Sequence, residues 1–221
     1  MISEKTVELN LTTELINWLY TVTEQTHYAL APSQREEGTL GYDVALLGSG
    51  AILIQYKRAY VEGTNWSWNL NRTQQKNQHS LLLDLEAQGF PVFYALPHFN
   101  TPAHIAARRR RLLLDTFWFP PSSIRPPGGP NGHHEVHYDE SSRRWWVTSQ
   151  QEVEMPPPLD LNYLSVALGS ATDHSNLEKM LEALNSTILK YEKDLSLQQA
   201  KNEIATYDLV DGLVVIVRAT P

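Results

Sequence analysis

The chain has 221 residues, no cysteine, a formal charge of -7 and a pI near 5.6. Its length and 42% hydrophobic content support one sizeable core with an appended lobe and argue against disorder, while the missing cysteines exclude disulfides and thiolate-held zinc. The acidic balance disfavours a protein that coats nucleic acid, so any such contact must rest on local basic patches such as Arg108, Arg109, Arg110 and Arg111. The apolar runs are far too short for a membrane span. Met1 to Lys5 lack the character of a secretory signal, which predicts a cytoplasmic protein.

Leu11, Leu15, Ile16 and Leu19 recur at helical spacing, predicting a helix over Thr12 to Val22 capped by Asn10 or Thr12. Tyr28 to Ala31 reads as a short strand closed by Pro32. Tyr42 to Leu47 and Ala51 to Tyr60 then form a hairpin across the Gly48-Ser49-Gly50 turn. The stretch from Trp66 to Asn71 fits either a strand or an irregular connection. Gln75 to Gln88 reads as a helix stopped by Gly89, and Pro91 to Leu96 as a buried strand ending at Pro97. Ala103 to Leu114 is expected to be helical and to carry the arginine run, followed by the aromatic strand Thr116 to Phe119. After a loop rich in proline and glycine from Arg125 to Gly132, Glu135 to Asp139 and Arg144 to Thr148 suit a further hairpin.

Pro156-Pro157-Pro158 marks a connector, which divides the chain into a core over residues 1–155 and an extension over 156–221. The extension is expected to hold a long amphipathic helix or helical hairpin over Asp173 to Ile204 and a final strand over Leu209 to Val217. Such a helix offers a surface for a partner protein or a second copy of the chain. The fold class is α/β, in the form of an α+β mixed sheet flanked by helices.

Chemistry concentrates between Asp43 and Lys57. Because side chains alternate along a strand, Asp43 at the start of one hairpin arm and Gln55 and Lys57 on the other share a face, while Ile52, Ile54 and Tyr56 take the opposite one. A carboxylate, an amide oxygen and an ammonium in one small volume suit metal-assisted phosphodiester hydrolysis. An edge strand with Gln55 and Lys57 in solvent and Asp43 in a turn would give the same pattern.

Asp43 followed by Gln55-Tyr56-Lys57 resembles the PD-(D/E)xK nuclease superfamily, in the branch where Gln replaces the second acidic ligand. The order of elements fits over roughly residues 8–97: a helix with a Glu, three antiparallel strands bearing Asp and Gln-x-Lys, a helix and a strand. The resemblance implies a restriction-endonuclease-like core and a nuclease dependent on Mg2+ or Mn2+ that acts on DNA, in a microbial genome-defence setting. It implies Asp43, Gln55 and the Tyr56 carbonyl as metal ligands, Lys57 as the group that positions the attacking water, and Glu14, or else Glu37, as the helical or nearby acid. Tyr42-Asp43 stands where the family has Pro-Asp. The arginine run and Gln78 would then face phosphate.

The other reading is a catalytically silent module that keeps this fold and binds a partner. His133, Glu135 and His137 would share one face of a strand, with His134 and Asp139 nearby, as a weaker metal candidate.

Overall fold

The computed structural model describes residues 1–32, 41–47, 51–71, 78–108, 111–149, 151–164 and 166. In chain order the elements are α1 (Glu4–Thr23), β1 (Tyr28–Leu30), β2 (Val44–Leu47), β3 (Ala51–Tyr56), β4 (Ala59–Glu62), β5 (Asn65–Asn71), α2 (Gln78–Ala87), β6 (Val92–Pro97), α3 (Pro102–Ala107), β7 (Thr116–Phe119), β8 (His134–Asp139), β9 (Arg144–Thr148) and β10 (Glu152–Glu154). The fold is α+β with two sheets. The Gly48-Ser49-Gly50 turn, the helix over 173–204 and the strand over 209–217 lie outside the described residues.

The first sheet runs β1-β2-β3-β6-β7, mixed because β3 and β6 are parallel while its other pairs are antiparallel. Parallel neighbours need a crossover, and the chain between β3 and β6 supplies it with the β4–β5 hairpin and α2. Both faces of this sheet are covered, which explains why every residue of β2, β3 and β6 is buried. On one face α1 contributes Val7, Leu11, Leu15 and Leu19, which join Val44, Leu46, Ile52, Ile54, Tyr56 and Phe93 in one core. On the other, Ala45, Leu53, Val92, Tyr94 and Leu96 meet Leu82 and Leu85 of α2 and the inner face of the second sheet.

The second sheet is antiparallel, in the order β10-β9-β8-β5-β4. Its inner face is aromatic: Trp68 stacks on Trp145 at 5.8 Å between centroids, Phe117 of the first sheet meets Trp145 edge-on at 4.6 Å, and the Trp68 indole N–H donates to the Pro97 carbonyl at 3.0 Å. Buried indoles pack well only when their one donor is satisfied, as here. The stretch from Trp66 to Asn71 is therefore a central strand, because Trp66, Trp68 and Leu70 alternate into this core.

Three expected elements differ. Helix α1 begins at Glu4, not Thr12, since the Ser3 hydroxyl caps it by accepting from the Thr6 N–H; Asn10 and Thr13 are absorbed within it, donating to the Thr6 and Leu9 carbonyls. The expected strand from Ala51 to Tyr60 breaks at Lys57-Arg58, where the chain leaves the first sheet for the second after the Lys57 N–H reaches the Ala95 carbonyl. The helix expected to reach Leu114 ends at Ala107, and the segment that follows turns so that the Leu112 and Leu113 N–H groups donate to Glu14. Beyond the proline connector, the Leu159 N–H donates to the Trp118 carbonyl and Leu164 is buried in the core under α1.

Gly41 seats α2 against the hairpin. Its φ is +81°, and a Cβ there would lie 2.9 Å from Leu81 Cβ and 3.4 Å from the Gln78 carbonyl oxygen. Gly41→Ala combines a strained backbone with a clash against a rigid atom, so we expect a loss of about 1–3 kcal/mol in urea unfolding. An unchanged midpoint would show that α2 is not held at this contact.

Candidate active site

Asp43, Gln55 and Lys57 converge at the end of β3, the middle strand of the first sheet. They are 8%, 2% and 6% exposed, so the solvated edge-strand arrangement is excluded. Register explains the convergence. Val44 pairs with Ile54, which sets Asp43 beside the last residues of β3, and the Asp43 N–H donates to the Ile54 carbonyl at 3.0 Å.

The side chains are joined by a directed chain of hydrogen bonds. Lys57 Nζ donates to Gln78 Oε1 at 2.6 Å, Gln78 Nε2 donates to Gln55 Oε1 at 2.6 Å, and Gln55 Nε2 donates to Asp43 Oδ2 at 2.6 Å. Gln55 Nε2 also reaches the Tyr56 carbonyl at 3.0 Å, and the Tyr56 N–H donates to Asp43 Oδ2 at 2.8 Å. An ammonium only donates and a carboxylate only accepts, so the two ends fix the orientation of both amides between them. Burial pushes the Asp43 carboxyl up to about 7 against the pull of the Lys57 ammonium, the Tyr56 N–H and the Gln55 amide, with Glu4 adding to the rise.

A second buried polar group adjoins this chain. Tyr94 pairs with Gln55 across the parallel β3–β6 ladder, and its hydroxyl lies 3.0 Å from His79 Nδ1. His79 Nε2 lies 3.1 Å from the Ile124 carbonyl, which can only accept; Nε2 therefore carries the proton and Nδ1 accepts from Tyr94. The ring of buried His134 is 6.4 Å away.

The remaining sequence candidates go elsewhere. Glu14 does not reach Asp43: α1 covers the opposite face of the sheet, and the Glu14 carboxylate accepts from Leu112 N at 3.2 Å and Leu113 N at 3.4 Å. Glu37, Arg109 and Arg110 lie outside the described residues. Arg108 is held within the fold, donating to the His98 carbonyl and pairing with Asp115 at 3.4 Å, while Arg111 is exposed. Gln78 is partly buried and bridges Lys57 to Gln55. On β8, Glu135 and His137 share the outer face and lie 3.7 Å apart, with His137 also bonded to Thr148 and stacked on Trp146. His134 faces inward and Asp139 is taken up by Ser141 and Ser142.

Of two acidic residues on α1 near the site, Glu8 was weighed in the sequence behind Glu14 and Glu37, and Glu4 was passed over. Glu4 and Glu8 share a row of α1 with Thr12, whose hydroxyl donates to the Tyr56 hydroxyl at 2.9 Å; Glu8 is buried and paired with Lys5 at 2.6 Å. Their four-residue spacing was the available signal, hidden because the helix was started too late.

Among the described residues the ligand atoms beside Asp43 are oxygens: its own carboxylate, the Tyr56 carbonyl, and the Gln55 amide oxygen once that amide turns. Mg2+ and Mn2+ prefer such donors and accept one carboxylate when water and substrate oxygens complete the shell, so the set fits. Among the described residues no three His, Asp or Glu side chains gather as a metal cluster.

The His79 contacts predict a pH effect on stability. Burial lowers its pKa from 6.5 to about 4, so the unfolded chain binds more protons between those values. The stabilisation is fully present above pH 6.5 and is lost as pH falls towards 4. From pH 7.5 to 5 the difference is about 2 kcal/mol. We expect urea unfolding of the wild type to lose about that much more stability than His79→Gln over this interval; equal losses would contradict the neutral, buried ring. No family model, curated protein or solved structure matches the chain.

Proposed function

We propose that this protein is a metal-dependent nuclease that hydrolyses DNA phosphodiester bonds, on a restriction-endonuclease-like core formed by α1, β1–β3, α2 and β6. The observation that carries the reading is the burial and linkage of Asp43, Gln55 and Lys57 on a central strand. A buried carboxylate and ammonium are expensive to desolvate, and a fold that needed only packing would place apolar residues there. The element order supports the same reading, since three antiparallel strands are followed, after the inserted β4–β5 hairpin, by a helix and a strand parallel to the third.

In this reading Asp43, the Tyr56 carbonyl and Gln55 Oε1 hold Mg2+ or Mn2+. When bound, the metal polarises a phosphoryl oxygen and lowers the pKa of water. Lys57 orients the attacking water and offsets negative charge that builds on the phosphoryl oxygens. The Tyr56 N–H fixes the Asp43 carboxylate, so the ligand is preorganised by backbone. The setting implied by the resemblance is microbial genome defence.

A second reading, a silent nuclease-like module that binds a partner, is favoured by one observation: the helical acid Glu14 is spent on the Leu112 and Leu113 amides, and among the described residues Asp43 is the acidic side chain that hydrogen bonds place with Gln55, Gln78 and Lys57.

Purified protein incubated with supercoiled DNA, linear DNA or RNA, with Mg2+ or Mn2+, separates the two. We expect cleavage of DNA by the wild type and a rate at least roughly 10²-fold lower for Lys57→Ala, the loss typical for a group that positions a proton transfer. Equal behaviour of the two proteins would remove the catalytic reading.

A further inference from the structure

We propose that Arg58, carried on the ring of Tyr60, is a second phosphate-binding cation, which grips a backbone phosphate of the DNA strand next to the one that reaches Asp43 and Lys57. The inference rests on the DNA-cleaving reading above and deepens it by naming a substrate contact.

The break between β3 and β4 sets the position of this side chain. Ala59 is buried and pairs with Trp68 on the inner side of the second sheet, so alternation sends Arg58 and Tyr60 to the other side, where Tyr60 pairs with Ser67 and Ser67 with His137. Strand β4 is an edge strand of that sheet. Arg58 therefore stands where the chain leaves the site, its Cα about 3.8 Å from that of Lys57. Two cations follow one another here in a chain whose formal charge is -7.

The guanidinium has the surroundings of a charge that awaits a counterion. One of its terminal nitrogens donates to the Tyr60 hydroxyl, and its central carbon lies 4.7 Å from the Tyr60 ring centroid, which fixes the plane of the fork. Its Nε is buried without an acceptor, and no carboxylate among the described residues pairs with it. The other described arginines show the contrast. Arg111, Arg125, Arg143 and Arg144 are exposed and open to water, whereas Arg58 and Arg108 are partly buried. Arg108 is compensated by Asp115 and the His98 carbonyl. Arg58 has only a ring and a hydroxyl, neither of which carries a negative charge. Withdrawing a cation from water without a countercharge is costly, and a planar fork with N–H groups to spare matches two oxygens of one phosphate. Lys57 turns to Gln78 and Arg58 to Tyr60, so the two cations suit successive phosphates of one strand better than a single one.

Binding is read apart from cleavage by fluorescence anisotropy of a labelled DNA duplex and of its single strand, in EDTA and in Ca2+, over a series of salt concentrations. The proteins are wild type, Arg58→Gln, Arg58→Lys and Arg144→Gln, each as the full chain. Loss of one phosphate contact lowers the slope of log affinity against log salt by about 0.9 for a duplex and about 0.7 for a single strand. We expect that change in Arg58→Gln, with binding roughly tenfold weaker at low salt. Arg58→Lys should restore the slope yet still bind more weakly than wild type, because an ammonium offers a point charge in place of a fork; it carries the test if the glutamine variant does not fold. Arg144→Gln removes an exposed arginine that stacks on Trp146 and pairs with Glu152, and it should change neither quantity. If wild type binds DNA and either Arg58 variant matches its affinity, or Arg144→Gln loses as much as Arg58→Gln, the phosphate site is overturned and the nuclease reading stands. If wild type binds neither form of DNA, both are overturned.

Discussion

The chain of hydrogen bonds from Lys57 through Gln78 and Gln55 to Asp43 is the constraint on which the rest of the architecture turns. An ammonium and a carboxylate have been taken out of water at the end of the middle strand of the first sheet, and each end of the chain offsets the desolvation of the other only if the two amides between them point one way. That requirement ties together parts of the fold that are distant in sequence. Asp43 precedes β2, Gln55 and Lys57 close β3, and Gln78 opens α2. The glycine at position 41, with its left-handed backbone, allows α2 close enough to complete the connection.

The division of labour between the two faces of the first sheet follows from strand alternation. Tyr56 points towards α1, where its hydroxyl meets Thr12 and burial pushes its pKa well above the usual range; Gln55 points towards α2 and Tyr94. One strand thus anchors an apolar layer on one side and a polar network on the other. The second sheet packs against this face with Trp68, Trp145 and their neighbours, and His79 links the network to the Ile124 carbonyl. Inside such an enclosure the effective dielectric is low, so a metal, a proton or a phosphate near Asp43 is felt strongly.

Much of this was legible in the sequence, and what was not has a common cause. The apolar runs Tyr42 to Leu47 and Ala51 to Tyr60 on either side of a glycine-rich turn specified a hairpin, and period two put Asp43, Gln55 and Lys57 on one face without knowledge of the fold. Gly89 and Pro97 marked where α2 and β6 stop. The second sheet was only half visible: β8 and β9 read as a hairpin, but the pairing of β5 with β8 joins residues about seventy apart, such as Trp66 and Tyr138, and no local pattern announces it. Glu14 was assigned to the site because it lies on the first helix, yet its partners are the Leu112 and Leu113 amides, 98 and 99 positions away. The bond between Gln78 and Gln55 is likewise long-range, spanning 23 residues. Periodicity reports which face a side chain takes; it does not report what waits on that face.

If Asp43, Gln55 and the Tyr56 carbonyl hold a cation, as proposed, its binding reverses the Gln55 amide. The most direct measurement is a crystal structure of the protein equilibrated with MnCl2, with manganese located by its anomalous scattering. The proposed site requires a manganese peak in coordinating contact with Asp43 and the Tyr56 carbonyl, and Gln55 turned so that Oε1 faces the ion. A structure without manganese at this position, with Gln55 Nε2 still donating to Asp43, would contradict it.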